Sequence, residues 1–257
     1  MKTLLFTLII ILNSSLHAQK KHIVLIAGTH HYTPQESLTD FAKKLDLQGF
    51  KTTLIKTNWD PEKDSRGLPG METLKEADLA VLFLRFLKIN DTQLKPLMNY
   101  VEAGKPIVAM RTTSHAFHYP EGHKHHKLNN DFGLKVMGTQ FFLHMKGTAD
   151  NSVVAKEHPI LAGSLQKFKS YGTLYRVEIP KEAQIMTMGY TKTTPKVHKN
   201  MFGEHHIKNE EFAPTLWTWT NKFGGKTVGT TFGHKKDFED ENISTIFMNS
   251  VKWALQK

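Results

Sequence analysis

Three short runs, "IVLIAG" (23–28), "LAVLFL" (79–84) and "PIVAM" (106–110), are apolar at every position rather than at alternate ones. A strand with one wet face alternates; a strand covered on both faces does not. Amphipathic segments separate these runs. "PQESLTDFAKKLDLQGF" places Leu38, Phe41, Leu45 and Leu47 at helical spacing before a glycine stop. "DTQLKPLMNYVEAGK" reads as a second helix, with Asp91 as N-cap and Gly104 past its end. "KTTLIKT" adds a strand. Doubly covered strands alternating with helices predict an α/β fold around a parallel sheet.

Further along, "VVAKEHPILAG", "LYRVEIP" and "AQIMTMGYT" read as strands and turns. "TLWTWTNKFGGKTVGTTFGH" predicts a hairpin, because two β-rich runs flank "NKFGGK". "ENISTIFMNSVKWAL" predicts a closing amphipathic helix, and "VHKNMFGEHHIKNEEFAP" an exposed insertion. No repeat or linker interrupts the pattern, so residues 19–257 are expected to form one domain.

The first 18 residues are expected to be a signal peptide: Lys2, then the apolar "TLLFTLIIIL", then "SLHA" with cleavage after Ala18. The expected mature protein is periplasmic or secreted, and no later run is long enough to span a bilayer. The chain has no cysteine, which removes thiolate nucleophiles, Cys-ligated metals, disulfides and a lipid anchor. Its formal charge is +10, or +9 without Lys2. The lysines are scattered and no Arg-rich tract occurs, which argues for a solvated surface and against a nucleic-acid partner.

In open parallel sheets, ligands sit beyond the carboxyl ends of the strands. Three polar bursts fall there. "GTHHY" carries His31, a candidate acid, base or ligand. Arg85 follows "LAVLFL" directly; its planar fork suits an oxygen-rich ligand, or a salt bridge to Asp78 or Asp91. "RTTSHAF" offers Arg111, Thr113 and Ser114 as substrate-binding groups and His115 for proton transfer. A G-x-S-x-G elbow is missing, so a Ser–His triad is not specified. His144 in "FFLHMKG" and His234 in "TFGHKKDF" each end a strand-like run. The alternative for both is an ordinary core histidine. The loop with His118, His123, His125 and His126 could hold a divalent metal, as could the stretch around His205 and His206. Neither has strong ligand spacing, so no cofactor is expected. Trp59, Trp217, Trp219 and Tyr171 could stack on a sugar.

"GKPIVAMRTTSHAF", "DFGLKVMGTQFFLH", "EHPILAG", "YGTLY", "APTLWTWT", "GKTVGTTFGH" and "VKWAL" occur in one order. In that order the chain resembles the secreted branch of the ThuA-like (trehalose utilisation) family, in the class I glutamine amidotransferase-like superfamily. The resemblance runs from about Lys21 to the C-terminus. It implies a flavodoxin-like three-layer α/β/α sandwich with a mostly parallel central sheet. It also implies sugar catabolism, notably of 3-keto glycosides, with His31, Arg85, Arg111, Thr113, Ser114, His115, His144 and His234 at the site and His158–Pro159 in a family motif. Glutaminase chemistry is excluded by the missing cysteine. Met145 and Lys146 after His144, and Ser114 in place of an asparagine, depart from the branch pattern. Three functions follow as expectations: a carbohydrate-active lyase, hydrolase or isomerase using histidine acid/base chemistry; a non-catalytic carbohydrate-binding accessory protein; or a histidine-dependent metallohydrolase. The expected partner is a small carbohydrate or glycoside, with self-association left open.

Overall fold

A computed structural model describes residues 19–60 and 65–256, without the side chains of 59, 60, 65 and 66. The expected signal peptide and the Trp59 side chain lie outside the described residues.

Nine strands form one mixed sheet: β1 (His22–Gly28), β2 (Lys51–Lys56), β3 (Leu79–Leu84), β4 (Ile107–Met110), β5 (Ala149–Val153), β6 (Lys167–Ser170), β7 (Gln184–Lys192), β8 (Glu210–Thr220) and β9 (Lys226–Thr230). Their spatial order is β2-β1-β3-β4-β9-β8-β7-β5-β6. The first five in that order pair in parallel, giving the 2-1-3-4-5 arrangement of flavodoxin-like sheets. From β9 outward every pairing is antiparallel. The hairpin expected around "NKFGGK" is the β8–β9 pair, and it joins the two halves.

Alternate residues of the core strands enter opposite layers, which is why those strands show no polar face. Leu25, Val81, Phe83 and Val108 pack with Leu38, Phe41 and Leu45 of α1 (Pro34–Leu47). Ile243, Ile246, Phe247 and Val251 of the C-terminal helix Glu241–Ala254 complete that layer. Val24, Ile26, Leu82 and Leu84 instead meet Leu94, Leu97 and Val101 of α2 (Asp91–Glu102). Each such side chain taken out of water contributes about 1.5–3 kcal/mol.

Two local expectations change. Asn90, not Asp91, caps α2, its side chain accepting from the Gln93 N–H. Asp91 turns its carboxylate to Lys124 and His125. The expected insertion is a two-stranded ribbon, Lys196–Asn200 paired with Gly203–Ile207. Its outer side is exposed as expected, but His198, Asn200, Met201 and Phe202 also line a cleft at the sheet's carboxyl edge.

The strands β1, β3 and β4 all end in unusual backbone. Every non-glycine residue with positive φ among the described residues lies there: Tyr32 (φ 68) and Thr33 (φ 52) after β1, Phe86 (φ 50) after β3, and Arg111 (φ 43) after β4. Non-glycine residues held in this region cost about 1–3 kcal/mol each and concentrate at functional sites. The chain order reverses between β1 and β3, the switch point at which α/β sheets open a crevice.

Candidate active site

A cleft of about 280 Å³ opens at that edge. His31 and Tyr32 reach it from the end of β1, Arg85 and Phe86 from the end of β3, and His115 from the turn after β4. Phe141, Leu143, His144 and Tyr175 form the far wall, and His198, Asn200, Met201 and Phe202 of the ribbon close the side. Four of the five predicted catalytic residues, His31, Arg85, His115 and His144, therefore line one cavity.

His115 is almost wholly buried, within ring contact of Phe86 (5.0 Å) and Phe141 (4.6 Å). Ser114 Oγ lies 3.1 Å from both the Arg111 carbonyl, to which it donates, and His115 Nδ1. With Nδ1–H turned to Ser114, Nε2 is the proton acceptor. Burial, then Arg85 and Arg111, holds the imidazole well below its ordinary pKa. His31 is pulled down by burial, Arg85, His30 and Arg111. His144 is lowered by burial and Arg111. At neutral pH these three rings are uncharged. They can accept protons; they have none to spare beyond the ring N–H.

The remaining predicted residues hold the site together from outside it. Arg111, expected to touch substrate, lies outside the cleft lining: it is 1% exposed, with its guanidinium between the rings of Tyr32 (4.3 Å) and Tyr175 (4.4 Å). It donates to the carbonyls of Thr231 and Thr173, to Thr173 Oγ1 and to the Tyr32 hydroxyl. Gly172 makes this seat available, because a Cβ there would stand 2.8 Å from the guanidinium carbon. Arg111 thus occupies the strained strand-to-turn position where other α/β enzymes place a nucleophile.

Thr113 is likewise buried away from the cleft, donating to the Leu82 carbonyl and accepting from the Leu84 N–H at the end of β3. Ser114 orients His115, as above. His234 caps helix Lys235–Glu239 in a capping box with Asp237, its ring 6.3 Å from that of Tyr32, and does not line the cleft. Trp217 cannot stack on a sugar. It is fully buried beneath Gly229, and its indole N–H donates to the Met137 carbonyl. Trp219 likewise donates to the Val136 carbonyl. Tyr171 lies under Lys236, and His158 caps the turn Pro159–Leu161 against Trp253.

The histidine-rich loop has local partners. His125 bonds Asp91, His126 donates to the carbonyls of Tyr119 and Pro120, and His123 stacks on Tyr119 at 4.7 Å. Among the described residues no group of three or more His, Asp or Glu side chains could hold a metal ion.

Sequence reasoning missed Tyr32, Tyr175, the phenylalanines and the ribbon residues. Tyr32 stands inside the quoted "GTHHY", where the two histidines drew attention away from it. The ribbon gave no signal, since a polar insertion looks the same whether it covers a site or not.

Two solved structures resemble the chain in fold. A ThuA-like protein from Bacteroides uniformis is 19% identical, with 94% of each chain covered and a TM-score of 0.63. One from Parabacteroides merdae is 15% identical, covering 93% of this chain and 91% of its own, with a TM-score of 0.61. No curated protein matches the chain. The family model for ThuA, described as trehalose utilisation, matches residues 23–254. The chain belongs to the ThuA family.

Proposed function

We propose that this protein is an exported sugar-catabolism enzyme that moves a proton next to the carbonyl of an oxidised, 3-keto glycoside. One observation carries the reading. A buried imidazole held well below its ordinary pKa, with Nδ1 beside Ser114 Oγ, shares a small cleft with an arginine at the switch point of the sheet. Membership of a trehalose-utilisation family points to a saccharide, and the cavity volume suits a small one.

In this mechanism His115 Nε2 removes the proton from the carbon beside the ketone. An uncharged imidazole is the competent form of that base. Negative charge then develops on the ketone oxygen, and Arg85 stabilises it. His31 and His144 accept hydrogen bonds from sugar hydroxyls, and Phe141 and Phe202 offer apolar faces to the ring. Ser114 fixes the His115 tautomer, and Thr113 fixes the backbone from which Arg85 departs.

The test is turnover of 3-keto glucosides by wild type and His115→Ala. Loss of about 10²–10⁴-fold is expected. Undiminished turnover removes His115 from the mechanism. Tight glycoside binding with no product from wild type would replace the enzyme with a binding protein. Export is tested separately, by N-terminal sequencing of protein recovered outside the cytoplasm; a chain still beginning at Met1 overturns it.

A further inference from the structure

The proposed reaction needs an acid as well as a base. Breaking a glycosidic bond expels a sugar or alcohol oxygen as an alkoxide, a poor leaving group unless a proton reaches it. Of the four histidines lining the cleft, His198 belongs to the ribbon, and the three nearer the sheet edge, His31, His115 and His144, are unsuited. Burial and Arg111 hold all three below their ordinary pKa, with Arg85 also acting on His31 and His115, so they are uncharged at neutral pH.

The cleft contains another proton carrier. Tyr32 is half-buried in its wall, and its hydroxyl lies 3.2 Å from Arg111 Nη2 with the guanidinium 4.3 Å over its ring. Burial alone would raise this phenol, but the Arg111 charge and hydrogen bond outweigh it and hold Tyr32 below its ordinary pKa. Tyr175, on the other face of the same guanidinium, is fully buried and pushed upward by burial. Where neighbouring titratable groups are driven apart, the acid and base roles separate with them. The other groups around Tyr32 are His31 at 4.9 Å, His234 at 6.3 Å and Thr173. The backbone supports the same assignment. Tyr32 and Thr33 are consecutive left-handed residues directly before Pro34, the first residue of α1. That costly turn directs Tyr32 against Arg111.

We propose that Tyr32 is the general acid of the cleft, protonating the departing glycosidic oxygen while His115 takes the proton beside the ketone. The proposal rests on the reading of function above. The C–H electron pair forms the new carbon–carbon double bond, and the glycosidic C–O bond breaks. The phenolic proton completes the leaving alcohol. Arg111 holds the resulting phenolate, and the proton on His115 returns to Tyr32 through solvent, so the enzyme ends unchanged. Arg111 is a positioning residue in this scheme, acting through Tyr32.

The experiment compares two 3-keto glucosides, one with an aliphatic alcohol as leaving group and one with a nitrophenol, which departs without protonation. With Tyr32→Phe, kcat/KM on the aliphatic substrate should fall at least about 100-fold, while the nitrophenyl substrate keeps most of its rate. Equal losses on both, or no loss, overturn the proposal. Gly172→Ala supplies a second readout should Tyr32→Phe not fold. Crowding the guanidinium away from the phenol should move the alkaline limb of the aliphatic pH profile upward; an unmoved limb overturns the proposal. Wild-type turnover separates the two levels. Wild type inactive on both substrates overturns the functional reading, and the acid assignment with it. Active wild type with an indifferent Tyr32→Phe overturns the acid alone.

Discussion

Histidine does two different jobs in two neighbouring regions. His115, at the end of β4, is buried beside two arginines and loses its charge. A few residues on, His125 sits in an open loop and pairs with Asp91, whose carboxyl Lys124 and His125 hold down at about 2. The side chain is the same; the surroundings differ in burial and in the sign of the nearest charge. A histidine count therefore says little about chemistry until its neighbours are known. The loop, with more histidines in sequence, looks the better metal or catalytic site, yet its rings are satisfied by backbone and one carboxylate.

The largest effect should come from setting single substitutions in the two regions against each other. His115→Ala should cost about 10²–10⁴ in turnover, while His125→Ala leaves turnover unchanged. Equal losses would erase the distinction.

Next comes the cation that sets the cleft's electrostatics. Arg111→Met strands the carbonyls of Thr231 and Thr173 and removes a cation packed between two rings. It should destabilise by roughly 3 kcal/mol, the range for breaking a buried polar network. Denaturant midpoints read this, and a change below about 1 kcal/mol would show that the guanidinium is not structural.

The pH dependence is a smaller effect with a defined sign. His31, His115 and His144 titrate below their ordinary 6.5 in the folded chain. Below that value the unfolded chain binds protons the native one refuses, so stability is fully present above it and declines as pH falls toward the folded values. Melting temperature should therefore drop on acidification from about 6.5. The acid limb of kcat/KM should likewise lie below 6.5 in wild type and move upward in Arg85→Met, which lifts a depressing charge from His115. An acid limb unaffected by that substitution would mean that burial and Arg111 set the imidazole without Arg85.

The smallest effect belongs to the loop's own ion pair. Asp91→Asn removes an exposed carboxylate that neither caps α2 nor faces the cleft, so turnover and melting temperature should stay at wild-type values.

Much of the fold could be read directly. Leu79–Leu84 is a strand with both faces covered because every position in it is apolar. The helix ending at Gly104 and the hairpin around "NKFGGK" followed from turn chemistry. The antiparallel half was read only as scattered strands, since its pairing order depends on contacts distant in sequence. The site was read in part. His31, Arg85, His115 and His144, expected from their places after apolar runs, line the cleft, whereas Trp217, Thr113 and Ser114 are buried outside its lining. Their neighbours, Gly229 over the indole and Leu82 and Leu84 under the threonine, come from other elements.

The sequence by itself settled the alternation of strands and helices, the family likeness and the exclusion of thiolate chemistry, because burial periodicity and residue identity are local properties. Only the tertiary structure decided that Arg111 sits behind two tyrosines, that a polar ribbon walls the cleft, and which histidines lose their charge. Electrostatics and packing depend on distances through space, and residues as separate as Tyr32, Arg111 and Tyr175 acquire those distances only when the sheet closes around them.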